Sequence, residues 1–219
     1  LTSPDPAIDS FAVFLSQSQE SPVPVDVLDP ATALVLVDLQ KGITALPTVH
    51  DPAVVVARAA LLAAAAHRAG RPVVRVRIEF SPDGGDLLRG RTDSPGPAVA
   101  QPADFSELDP RVPISSSDLH VAKRGWDAFT GTELDSRLRR RGVRAVVVAG
   151  IATSIGVEST ARTARELGYE VVVAHDAVTD LVASAHTNAL EVILPRIARL
   201  ETAAALADLL AEPTSSAAA

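Results

Sequence analysis

Two charged side chains and one turn stand where an α/β chain can do chemistry. Asp38 ends the apolar run Ala33-Leu-Val-Leu-Val-Asp38, and Lys123 ends the shorter run Leu119-His-Val-Ala-Lys123. The turn lies in Arg144-Ala-Val-Val-Val-Ala-Gly-Ile-Ala-Thr-Ser-Ile-Gly-Val-Glu-Ser-Thr-Ala-Arg162, where a continuously apolar, β-branched stretch changes at Gly150 into a helical period from Ile155. A carboxylate at a strand end serves as an acid or a base, and an ammonium near it fixes its charge state. A strand that enters a helix through a short Gly/Thr/Ser turn aims free N–H groups and the helix dipole at whatever sits above the sheet, which makes an anion or oxyanion site. Lys123 is one of two lysines, the other being Lys41, against eighteen arginines, so its place is not compositional drift. Other candidates carry less. Ser154 and Ser159 have no histidine close in sequence, and His50, His67, His120, His175 and His186 lack metal-ligand spacing.

The elements that must position these groups alternate. Runs 33–38 and 145–149 read as buried strands and 73–78, 119–123 and 170–174 as further strands, with 196–200 as a last strand or extended segment. Between them, Ala53 to Ala69 reads as an alanine-rich helix with Asp51 as its cap, Pro52 at its first position and Gly70 as its stop; Thr132 to Arg141 is a helix closed by Gly142; the helix from Ile155 is closed by Gly168. A turn is expected at His175-Asp176, then helices over 182–194 and 202–211. Such alternation predicts an α/β fold, a Rossmann-like open parallel sheet with helices on both faces and right-handed crossovers. Ligands then bind at the carboxyl ends of the strands, where Asp38 and Lys123 stand. Residues 79–118, rich in proline and glycine, form a long loop on the substrate side. Trp126 and Phe129 suit pocket walls or core equally. Arg77, Glu79, Arg89 and Arg91 flank or lie in the loop, and an arginine such as Arg89 could pair with a substrate carboxylate.

The composition narrows the classes. The 219 residues allow one domain over 31–211, with an N-terminal arm over 1–30, whose apolar patch holds Phe11 and Phe14, and a short tail over 212–219. A net charge of −7 argues against a nucleic-acid surface, and no apolar run reaches the roughly 20 residues of a membrane span. With zero cysteines there is neither disulfide nor thiol catalysis. The start lacks a secretory pattern, so a cytoplasmic home is expected, and with no methionine in the chain Leu1 is not expected to be the first encoded residue. The apolar arm and alanine-rich helices point to a homo-oligomer, a dimer or tetramer.

Around Gly150-Ile-Ala-Thr-Ser-Ile-Gly156-Val-Glu-Ser-Thr-Ala-Arg162 the sequence resembles the isochorismatase-like hydrolase superfamily, and the resemblance runs from about Ala33 to Leu210. It implies that Asp38, Lys123 and Gly156 meet at one pocket, with the aspartate as acid or base and the lysine holding it and the substrate. It also implies a non-proline cis peptide at Ile151-Ala152 and an oxyanion hole from the amides at Ala152 and Gly156. Gly156 stands where the family's amidases place a cysteine nucleophile. Isochorismatases resemble this chain in having glycine there, since protonation of a vinyl ether needs no covalent nucleophile. Their glutamine near Ile78 or Glu79 is absent here. The Asp-x-His pair with a further His that the family's nicotinamidases use for a metal is not apparent, so no metal is expected, and no cofactor. On these grounds Ile151, Ala152, Trp126, Phe129, Arg89 and Gln40 are candidate substrate-binding residues. The expected function is acid-catalysed hydrolysis, of vinyl-ether type, of a small carboxylated metabolite. The alternatives are a non-catalytic binding or assembly protein on the same fold, or an amidase whose cysteine Gly156 has replaced.

Overall fold

The computed structural model describes residues 25–213 apart from 89 and 94–100. Phe11, Phe14 and the last six residues therefore lie outside the described residues, as does Arg89. Six strands form one sheet: β1 (Thr32–Val37), β2 (Val73–Ile78), β3 (Leu119–Lys123), β4 (Ala145–Ile151), β5 (Glu170–Thr179) and β6 (Arg199–Glu201). Their order is β3-β2-β1-β4-β5-β6, and every pairing is parallel. After β1 the chain builds outward through β2 and β3, then returns to the other side of β1 with β4. That reversal opens a crevice at the carboxyl ends of β1 and β4, the place where open α/β sheets bind ligands.

The helices are α1 (Lys41–Thr44), α2 (Pro52–Arg68), α3 (Leu134–Arg139), α4 (Glu158–Glu166), α5 (Ala183–Asn188) and α6 (Ala203–Ala211). Because side chains alternate across a strand, Leu34 and Leu36 face one core, with Leu62 of α2 and Leu206 of α6, while Ala33, Val35 and Val37 face the other, with Leu134 of α3 and Ala161 of α4. Helix α2 begins as its sequence dictates: the Asp51 side chain accepts from the Ala53 N–H, and Pro52 occupies the first turn. None of the described helices is long and apolar enough to cross a membrane.

The structure corrects the sequence reading in four places. Gly150 does not end its strand. It lies inside β4 at a shift of register against β5, with φ of +134°, and a side chain there would collide with the Val37 carbonyl of β1. The expected turn at His175-Asp176 is instead the middle of β5, which runs on to Thr179. The Asp176 side chain is satisfied in place: it pairs with Arg58 of α2 and accepts from the Ala203 N–H at the start of α6. The helix expected over 182–194 changes pitch, from α5 through a π-type turn at Ala189–Ile193 to a 3-10 turn at Leu194–Arg196, so Arg196 belongs to that turn and not to the last strand. The arm was expected to extend to residue 30, yet Val25 and Leu28 are buried in the α2/α6 core.

Candidate functional site

Asp38 follows β1 directly and holds φ of +54°, a left-handed conformation that aspartate tolerates better than most residues. Lys123 is the last residue of β3, two strands away. At about 4.8 Å per strand spacing the gap is one that only a long side chain closes. Its Nζ reaches Asp38 Oδ2 at 2.7 Å, and both residues are buried, at 2% and 5% exposure. The ammonium also donates to the carbonyls of Gly125 (3.2 Å) and Trp126 (2.7 Å). Three hydrogens meet three oxygens, so Lys123 has no donor left for a ligand.

The carboxyl is less settled. Asp38 Oδ1 is the one buried side-chain oxygen or nitrogen without a partner among the described residues. Burial pushes the Asp38 pKa up from 3.8 to about 6, against the opposing charge and hydrogen bond of Lys123 and a weaker backbone contribution at Ile78. With Oδ2 committed to Lys123, the proton of the neutral form belongs on Oδ1.

The turn after β4 comes to the same place. The Ile151-Ala152 peptide is cis, and the chain then makes one π-type turn, Thr153–Val157, before α4. A Cβ at Gly156 would stand 3.1 Å from Asp38 Oδ2 and 3.0 Å from Val37 Cγ1, so the room left by glycine lies over the Asp38 carboxyl. The turn is held from behind. Asp180, the residue after β5, accepts from the Ser154 N–H at 2.7 Å, and His186 Nδ1 meets Thr153 Oγ1 at 2.8 Å. His186 is buried, and burial, helped by His50 at a ring distance of 5.0 Å, pushes its pKa down, with Asp180 opposing.

Asp38, Lys123, Trp126, Ile151, Ala152 and Gly156 thus line one cleft of about 230 Å³. Two other cavities, about 260 Å³ beside Val25 and Arg199 and about 300 Å³ between α2 and β5, offer no unpartnered buried carboxyl. Two candidates are not brought to the cleft. Phe129 is buried in the core against Tyr169, and Gln40 is fully buried, its amide clamping the Ile78 backbone at both N–H and C=O and accepting nothing from the cleft. Sequence reasoning missed Asp180, His186 and the apolar lining from Ile43, Leu46 and Leu181. Asp180 carried a usable signal, a carboxylate at a strand end, hidden by placing the end of β5 five residues early. Ile155, where the helical period begins, lines the cleft and is 38% exposed.

Comparison with known proteins matches residues 32–205 to the isochorismatase domain. The chain is 44% identical over 174 residues to an uncharacterized isochorismatase family protein, YecD of Escherichia coli O157:H7, covering 78% of this chain and 92% of that one. It is 32% identical over 181 residues to the ureidoacrylate amidohydrolase RutB of Pseudomonas syringae pv. syringae, covering 71% and 74%. Among solved structures, an isochorismatase family protein from Burkholderia thailandensis superposes with a TM-score of 0.80 at 42% identity, covering 87% of this chain and 99% of that one.

Proposed function

Because this chain belongs to the isochorismatase family of hydrolases, we propose that it hydrolyses a small molecule by acid catalysis from Asp38, with no covalent enzyme intermediate. The observation that carries this reading is the buried, unpartnered Asp38 Oδ1, in a carboxyl whose pKa is pushed up to about 6 and whose Oδ2 lies 3.1 Å from where a side chain at Gly156 would begin. A carboxyl with a pKa near the working pH is suited to give a proton and to take it back.

For a vinyl ether the step balances as follows. Asp38 Oδ1–H protonates the terminal vinyl carbon, forming a C–H bond and leaving the carboxylate and an oxocarbenium ion. Water adds to the cationic carbon and gives its proton to Asp38. The resulting hemiacetal or hemiketal breaks its C–O bond to release an alcohol and a carbonyl compound. Lys123 keeps Oδ2 in place and stabilises the transient carboxylate, which makes it a positioning residue. The amides of Ala152 and Gly156 are suited to hold the ether or carbonyl oxygen as charge develops.

The RutB likeness favours a second reading, in which an amidase ancestor lost its cysteine. A thiol at residue 156 would lie beside the Asp38 carboxyl, a base for it. The deciding experiment is a screen of the purified protein against enol ethers, ureides and amides, with Asp38→Asn and Gly156→Cys beside the wild type. Turnover of an enol ether lost in Asp38→Asn is expected. Turnover that survives Asp38→Asn removes acid catalysis, and amide hydrolysis appearing in Gly156→Cys supports the second reading.

A further inference from the structure

The cleft's charge inventory bears on the class of substrate, and this step rests on the hydrolase reading above. Apolar side chains, Ile43, Leu46, Ile78, Trp126, Ile155 and Leu181 among them, make up most of its wall. Its charged groups are Asp38 and Lys123 alone, and they are spent on each other and on the Gly125 and Trp126 carbonyls. The cations at the neighbouring strand ends are also paired: Arg77 with Glu79, and Arg124 with Asp86. Among the described residues, then, the cleft contains no cation free to receive a carboxylate. An anion placed in it would be desolvated against hydrocarbon, with the Ala152 and Gly156 amides but no cation to offset the cost, and would face the buried Asp38 carboxyl as well. The sequence suggested a carboxylated substrate through an arginine such as Arg89, and no described lining residue takes that part.

We propose that the cleft selects a neutral, compact substrate with an apolar body, such as a ring or a branched alkyl group, that offers a single ether, ester or amide oxygen beside Asp38 Oδ1. Size supports the same class. A volume of about 230 Å³ lies below the range of about 300–1,000 Å³ usual for drug-sized ligands. Asp38 Oδ1, the one buried side-chain polar atom without a partner among the described residues, can donate in its neutral form to such an oxygen, beside the backbone amides of Ala152 and Gly156. The exposed Trp126 ring at the mouth supplies the face on which such a body stacks.

Trp126 is the only tryptophan in the chain, so its fluorescence reads occupancy of the cleft without any turnover. The probes are two shape-matched pairs at neutral pH: benzamide against benzoate, and cyclohexanecarboxamide against cyclohexanecarboxylate. At least one amide should saturate the signal, with its carboxylate partner weaker by about tenfold or more, equivalent to about 1.4 kcal/mol. Ile155→Arg, at a partly exposed wall position, should narrow or reverse that preference by adding the missing cation. A carboxylate that binds as tightly as its amide overturns the inference, and so does a full set of titrations in which neither class saturates. The titration and the turnover screen fail separately. Amides that fill the cleft, with no Asp38-dependent turnover of any compound, leave this inference standing and remove acid catalysis. A tightly bound carboxylate whose hydrolysis needs Asp38 does the reverse.

Discussion

At Asp38 two effects compete, desolvation of the charge and attraction to Lys123, and desolvation is the larger. The proposed acid must be protonated, so kcat/KM should be level at low pH and fall about tenfold per unit as pH rises above about 6, the bound ligand moving the turning point of kcat upward by excluding more water. A profile that rises through that range would assign Asp38 the role of base. The same shift links to stability. Since the folded pKa is raised above the unfolded one, the folded state holds the proton more tightly. That contribution is full below about 3.8 and is lost as pH rises through about 6, an amount on the order of 3 kcal/mol at about 1.36 kcal/mol per unit. Denaturant titrations of wild type and Asp38→Asn should therefore show a stability difference that drifts in the variant's favour between about pH 4 and 6 and levels off above. A constant difference would contradict the burial account. Lys123→Met should cost about 3–5 kcal/mol at pH 8, where it strands a buried carboxylate, and less at pH 5, where Asp38 takes up its proton.

At the scale of elements, the sequence was legible wherever burial was continuous. Ala33–Val37 and Ala145–Ala149 are apolar because helices cover both faces of a parallel sheet, so the strand end carrying Asp38 could be placed without a structure. It misled where a polar residue finds a partner far away in sequence. His175-Asp176 looks like a turn until Arg58 and the start of α6 are known to satisfy Asp176, and Gln40 looks like a ligand contact until Ile78 is known to occupy its amide. The continuation of β5 has a function, because it delivers Asp180 to the Ser154 N–H. Both Asp180 oxygens accept, from the Ser154 and Val182 N–H groups, so Asp180→Asn must turn an N–H toward one of these donors, and a destabilisation of about 1–3 kcal/mol is expected from the denaturation midpoint. Gly150→Ala should cost more, about 3 kcal/mol or above, since its positive φ and the Val37 carbonyl leave no place for a methyl group. A variant as stable as wild type would show that β1 and β4 separate there at little cost.

At the scale of the whole molecule, the question is where the folded unit begins. The matched family domain starts at residue 32, but the preceding segment is built into the fold. Val25 and Leu28 are buried, the Val25 N–H donates to Glu201, and Asp29 pairs with Arg144. The carbonyls of Asp29 and Pro30 accept from Arg71, a guanidinium only 5% exposed, and removing them strands part of its hydrogen-bonding capacity. Burial of Val25 and Leu28 alone is worth about 1.5–3 kcal/mol each. A chain beginning at Thr32 should thus lose about 4 kcal/mol or more and melt roughly 8–16 °C lower, at about 2–4 °C per kcal/mol for this size. A chain beginning at Val25 should melt within about 2 °C of the full sequence, because that cut spares every one of these contacts. Sedimentation of the same two proteins separates folding from assembly. If Phe11 and Phe14 dock on a second copy, as the apolar arm suggests, the full sequence should sediment as a dimer or tetramer and the chain from Val25 as a smaller species of unchanged stability. A full-length monomer at micromolar concentration would remove self-association, while equal masses above the monomer would move the interface from the arm to the body of the domain.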